Sequence, residues 1–249
     1  MTADATMRAH AHEIFRQFES RETVKLMLEL GSKFLISYLI GSLMGSLIMG
    51  QLKGGVDIRT MGSRNAGATN ALRTQGLAFA VGVMLIDVGK GVIGTAIVPG
   101  LELPFVGTDP EISRTWLTLC CAAAAVMGHV WPIYHRFRGG KGAATMVGTL
   151  LVLEPVLVLP VILVWAWVLT LAGFVGLATM AAAVALPAWL AATRLPEDQP
   201  LFIYSVAMAM FIIYCHRSNI QRMRDGTEHR HTKLMIFRSR RQSVSDDET

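Results

Sequence analysis

Long apolar runs, each nearly free of charge, constrain this chain more than any motif it carries. Residues 34–50, 115–134 and 201–214 contain no Asp, Glu, Lys or Arg; residues 77–98 contain only Asp87 and Lys90, and residues 142–193 only Glu154. Runs of about 20 apolar residues match a bilayer core of roughly 30 Å, in which a helix satisfies its own backbone groups. The 249-residue chain, 52% hydrophobic, is therefore expected to be all-α, a polytopic integral membrane protein. Three cysteines, Cys120, Cys121 and Cys215, lie in or beside apolar runs and support neither a disulfide framework nor a four-ligand zinc site. The net charge of +5 is small and sits in particular loops, which points to no nucleic-acid partner.

Residues 1–32 form an N-terminal extension. Glu13, Glu19, Glu22 and Glu29 precede the first run, which argues against a cleavable signal peptide and for a retained first span. Within residues 12–30, Ile14, Phe15, Phe18, Leu26 and Leu30 fall on roughly one helical side, as in an interfacial helix; a frayed extension without function is equally compatible. The first span, about 34–50, carries Gly41, Ser42, Gly45, Ser46 and Gly50 at spacings that permit close helix packing. Asp87 and Lys90, three residues apart, share a helical face and read as a structural ion pair.

The run 142–193 is too long for one helix and divides at Glu154-Pro155 and at residues 173–176 into three spans. The first of these, about 142–153, reaches only about 18 Å and is expected to be buried among its neighbours or to continue past Pro155 with a kink. Residues 99–114 and 194–200 suit outer loops. Segments 51–76, 135–142 and 215–249 carry four, three and eight Lys or Arg, against one in each proposed outer loop. That bias places the three basic segments in the cytoplasm. It predicts about seven transmembrane helices, with the N-terminus outside and the C-terminus cytoplasmic. A six-span layout with 142–153 re-entrant would send the eight-positive segment outside and is rejected. The membrane domain then covers 33–228, and 229–249 reads as a disordered tail.

Each basic segment is polar, glycine-containing and placed at the mouth of a helix. Residues 57–74, DIRTMGSRNAGATNALRT, combine Gly62 and Gly67 with Ser63, Asn65, Thr69 and Asn70 as neutral donors and Arg59, Arg64 and Arg73 as cations. They suit either an anion cradle or a solvated loop made basic by its side of the membrane. In the second segment, Gly139, Gly140, Lys141 and Gly142 lead into a helix whose free amides would favour a phosphate. It is not a Walker loop, since Gly142 stands where Ser or Thr would follow the lysine. In the third, His216 and Asn219 share a face if the last helix continues, either binding a polar substrate or orienting a base.

Taken in order and spacing, GSRNAGATNALR, GHVWP with FRGGKGAAT, and HRSNIQRMRDGTE resemble the three cytoplasmic motifs of the bacterial acyl-phosphate:glycerol-3-phosphate acyltransferases, the PlsY family. The likeness covers roughly residues 37–228 and includes the LIDVGKG pattern around Asp87 and Lys90. It implies a seven-span inner-membrane enzyme of phospholipid synthesis. Such an enzyme transfers an acyl chain from acyl phosphate to the 1-position of sn-glycerol 3-phosphate, giving lysophosphatidic acid and phosphate. By position it makes Ser63, Arg73, His216 and Asn219 catalytic, and it assigns Gly139, Gly140, Lys141 and Gly142 to glycerol phosphate. Asn65, Thr69 and Asn70 would also bind substrate, and Glu228 matches a structural acid. Two departures stand out. Arg64 replaces the usual Gly of GSGN, and Gly176 lacks the first hydroxyl of YVSLAS.

An acyl phosphate is already activated, so the resemblance implies neither cofactor nor metal. The protein must hold two phosphates together and neutralise growing charge. His216, oriented by Asn219, or a substrate phosphate would take the hydroxyl proton; Ser63 has no visible base to make it a nucleophile. The implied partners are the two substrates, membrane lipid and an upstream enzyme that forms acyl phosphate. None of the seven histidines has Asp five positions on, as acyl-CoA-dependent glycerolipid enzymes do, and no Gly-x-Ser-x-Gly elbow is present. A transporter or channel for phosphorylated metabolites and a diverged member of low activity are the alternatives.

Overall fold

The structure is a computed structural model that describes residues 27–236 apart from Glu111. Among the described residues the regular elements are all helical. They are α1 (Met27–Gly41), α2 (Gly45–Leu52), α3 (Ala68–Gln75), α4 (Leu77–Ala96) and α5 (Arg114–Val130), followed by α6 (Ala143–Leu153), α7 (Val158–Ala172), α8 (Val175–Thr193), α9 (Gln199–Cys215) and α10 (Arg217–Arg224). Among the described residues four helical segments are long and apolar enough to cross a membrane, and six if the bent pairs α1–α2 and α9–α10 each count as one.

The breaks in 142–193 fall where Pro155 and Gly173 require them. Pro155 has no amide to continue α6, and Gly173 adopts a left-handed conformation (φ 77°) that closes α7. The first span differs from its expected form, because the helix is already formed at Met27 and bends by 42° between α1 and α2. Side chains from α4 satisfy the backbone groups freed at that bend. Lys90 Nζ donates to the Leu43 carbonyl at 2.7 Å, and the Gly45 amide donates to Asp87 Oδ1 at 3.2 Å. Asp87 and Lys90 also pair with each other at 3.1 Å, both buried, as the sequence predicts. Their pairing lets a broken helix exist in an apolar interior.

Small residues set the packing. A Cβ on Gly41 would collide with the backbone of Ala125, and one on Gly128 with the Tyr38 carbonyl, so α1 and α5 cross in backbone contact. Gly91 and Gly148 do the same for α4 and α6. The 11-residue α6, about 16 Å long, is thus clasped by its neighbours. Leu119, Val126, Leu150, Leu186, Leu190 and Ile212 fill the core between α5, α6, α8 and α9. Leu163 and Trp167 on α7 stay more than half exposed, a surface suited to lipid.

Contacts at the helix ends show which termini lie together. Arg114 at the start of α5 pairs with Glu29 at the start of α1, while Lys33 reaches the Pro99 carbonyl beyond α4. Glu154 after α6 pairs with Arg194 after α8, which also meets Asp198 before α9. The other ends of α4, α5, α6, α8 and α9 converge on the three polar segments.

Of the N-terminal extension, residues 1–26, with most of the amphipathic stretch, lie outside the described residues. Residues 237–249 of the expected tail do too. Residues 229–236 are placed against α7. The His231 amide donates to the Gly173 carbonyl, Ile236 to Thr170, and Arg230 Nε to Ala172. The last span does not continue straight, since α9 and α10 meet at 52° at His216.

Candidate active site

Asn70, at 1% exposure, organises the first polar segment. Its Oδ1 accepts from the Ser63 amide, and its Nδ2 donates to the carbonyls of Ile58, Met61 and Asn65 at 2.9–3.1 Å. With its amide thus committed, Asn70 shapes the loop. Gly62 (φ 54°) and Arg64 (φ 58°) both take left-handed backbone. Glycine does so freely and arginine at a cost. The loop is tied to the second segment by Arg59, which pairs with Asp57 at 2.8 Å and donates to the Arg138 carbonyl. The Arg59 guanidinium holds the Asp57 carboxyl below its usual range.

In the second segment the Gly139 and Gly140 amides donate to the carbonyls of Val130 and His129. Neither glycine lines the cavity described below. Their amides are spent on the end of α5, and a Cβ at either would collide with His129. Both are thus closely packed against the end of α5. Gly142 (φ 85°) turns the chain into α6, whose first residues Ala143 and Ala144 face the cavity at the positive end of the helix dipole.

The third segment places His216 and Asn219 together, in roles that differ from those expected. His216 Nδ1 lies 2.8 Å from the Ile212 carbonyl. A carbonyl only accepts, so Nδ1 carries the proton and Nε2 keeps its lone pair. Burial pulls His216, at the bend beyond the last span, down to about 4, which keeps it neutral at pH 7. Asn219 does not hold the imidazole. Its Oδ1 accepts from Lys141 Nζ, its Nδ2 donates to Glu228 Oε1 at 2.8 Å, and Glu228 Oε2 accepts from Arg222 Nε at 2.6 Å. Asn219 therefore aims Lys141. A Cβ added at Gly176 would lie 2.9–3.0 Å from Asn219, so residue 176 packs directly against this side chain.

These segments enclose a cavity of about 600 Å³. Ser63, Arg73, His216 and Asn219 line it, as do Asn65, Thr69, Asn70, Lys141 and Gly142. A stretch of its wall is apolar, with Met84, Val147, Leu150, Val161, Ile162 and Leu186. Burial, followed by the charge of Arg222, pulls Lys141 down to about 8. Sequence reasoning missed Arg222, His229 and His231 in the lining. Arg222 was legible in principle, three residues past Asn219 on one helical face; the histidines follow the last motif and carry no comparable signal.

The glycerol-3-phosphate acyltransferase family profile matches residues 32–226. A glycerol-3-phosphate acyltransferase of Chlorobaculum tepidum is 36% identical over 225 residues, covering 82% of this chain and 97% of its own. One from Salinibacter ruber is 37% identical over 206 residues, covering 78% and 89%. Crystal structures of PlsY (YgiH), an integral membrane glycerol 3-phosphate acyltransferase, match in the glycerol 3-phosphate form at 30% identity and in the lysophosphatidic acid form at 29%. Both have a TM-score of 0.67 and cover 81% of this chain and 94% of theirs. With its apolar helices, its polar cavity mouth and these matches, the chain belongs to the glycerol-3-phosphate acyltransferase family of integral membrane proteins.

Proposed function

We propose that this protein transfers an acyl group from acyl phosphate to the 1-hydroxyl of sn-glycerol 3-phosphate, releasing phosphate and lysophosphatidic acid. The observation that carries this reading is a cavity with Lys141, Arg73, Ser63 and the start of α6 at its polar end and a stretch of apolar wall that includes Met84, Val147, Leu150, Val161, Ile162 and Leu186. Lys141 with the α6 N-terminus holds the glycerol phosphate, and Arg73 with Ser63 holds the phosphate of the donor. The apolar wall takes the acyl chain. The hydroxyl oxygen attacks the acyl carbonyl carbon, the new C–O ester bond forms, and the bond from that carbon to the phosphate oxygen breaks. The hydroxyl proton passes to His216 Nε2 and then to the departing phosphate, while Arg73 neutralises the charge that grows on it.

The bias of basic residues supports a cytoplasmic active site in a bacterial inner membrane, reached by seven crossings from an N-terminus outside. An enzyme that forms acyl phosphate would supply the donor. The transporter alternative lacks a comparable feature, since much of the cavity wall away from the mouth is apolar. Purified protein in lipid, given labelled glycerol 3-phosphate, is expected to form lysophosphatidic acid with palmitoyl phosphate and none with palmitoyl-CoA. Turnover with the thioester alone, or with neither donor, would refute the reading.

A further inference from the structure

His129 lies on the last turn of α5, 2% exposed, and lines the cavity although none of the chemistry above uses it. Its Nδ1 stands 3.4 Å from Asp87 Oδ1. Nε2 lies at the other end of the ring. That other end meets Gly140, where a Cβ would collide with Nε2. The His129 carbonyl also accepts from the Gly140 amide, and the Val130 carbonyl from Gly139. The residue after Gly140 is Lys141. On its far side Asp87 is fixed by Lys90 Nζ and the Gly45 amide, at the bend between α1 and α2.

Packing alone does not account for this arrangement. His129 Nδ1 and Asp87 Oδ2 are buried without a hydrogen-bond partner, a cost in an apolar interior that an aliphatic side chain would avoid. Capping the α1–α2 bend needs Asp87 and Lys90 but not an imidazole. The ring instead spans the space between the ion pair and the glycine that precedes Lys141, and it fits only because residue 140 has no side chain.

We propose that Asp87 and His129 form a buried support beneath the Lys141 loop, with His129 a positioning residue for the phosphate of glycerol 3-phosphate. The proposal rests on the reading that this loop holds glycerol phosphate. The support fixes the height of Gly140, and through it the direction in which Lys141 and the α6 amides face the substrate; a loop displaced by a fraction of an ångström loses the phosphate while the donor's site is untouched.

His129→Gln and Asp87→Asn in the full-length protein in lipid test this. Each is expected to raise KM for glycerol 3-phosphate about tenfold, with kcat and KM for palmitoyl phosphate within about threefold. Binding of labelled glycerol 3-phosphate without any donor should weaken by the same factor. The double variant should be no worse than the poorer single one, because both act through one support. Gly140→Ala lifts the loop without removing a buried polar group and should give the same signature, which keeps the test open if His129→Gln does not fold. Unchanged glycerol 3-phosphate binding in folded His129→Gln and Gly140→Ala proteins, or equal losses toward both substrates, would overturn the proposal. Wild-type protein that binds glycerol 3-phosphate but takes no acyl group from palmitoyl phosphate would refute the donor reading instead, leaving the binding comparison to decide the support.

Discussion

Where α5 and α9 begin, the described cations of the bundle meet acids. Lys33 and Arg114 share Glu29, and Arg194 lies between Glu154 and Asp198. Where those helices end, Arg59 and Arg222 have acids, but Lys141 rests on the neutral amide of Asn219, and among the described residues no acid pairs with Arg73. The same side-chain types thus do different work at the two ends. Charges balanced internally lock helix termini together. Cations without an acid partner remain open to an anion from outside, and Lys141 and Arg73 at one cavity mouth suit two phosphates.

The comparison breaks first at Lys141. Lys141→Ala is expected to lower kcat/KM for glycerol 3-phosphate about 10²–10³-fold, measured as lysophosphatidic acid formed from palmitoyl phosphate. Asn219→Ala comes next, at about 30–100-fold. It leaves Lys141 charged but unaimed and frees Glu228 to compete for it, so the loss should appear mainly in KM. A general-base residue would lose kcat instead.

Titration sharpens the contrast further. Lys141 is drawn down to about 8 by burial and Arg222, and its charged form, the one that binds phosphate, is the low-pH form. In the free enzyme kcat/KM for glycerol 3-phosphate should therefore fall as pH rises through about 8, by about tenfold per unit well above it. Saturating substrate, whose dianion favours the ammonium, should move the same limb of kcat to higher pH. The smallest effect belongs to Arg64→Gly. Relief of its left-handed backbone should raise stability by about 1 kcal/mol or less and change turnover by about twofold at most, since no hydrogen bond from Arg64 to the site is present among the described residues.

Much of this architecture is legible in the chain because local chemistry dictates it. Pro155 and Gly173 end helices wherever they stand, and basic loops gather at one face. The two bends are not legible, because remote groups hold them. The one before Gly45 depends on Lys90 and Asp87 from another helix, and the one at His216 redirects Asn219 toward Lys141 and Glu228. Motif spacing picked out Ser63, Arg73, Lys141, His216 and Asn219, which line one cavity, yet it could not say which hydrogen bonds the fold consumes. Sequence reads Asn70, Gly139 and Gly140 as substrate ligands; the Asn70 amide is bonded within its own loop and the Gly139 and Gly140 amides to the end of α5. The left-handed backbone of Arg64 likewise has no signal in the sequence.

The most direct measurement sets one residue from each end side by side. Initial rates of lysophosphatidic acid and phosphate formation from palmitoyl phosphate and glycerol 3-phosphate would be compared for wild type, Lys141→Ala and Glu29→Gln, with thermal unfolding of each. The account predicts that the two products appear one for one in wild type. Lys141→Ala should stay folded and nearly inactive, while Glu29→Gln should unfold about 5 °C lower yet turn over within about twofold of wild type. Full activity in Lys141→Ala, or a Glu29→Gln protein that is stable but inactive, would contradict it.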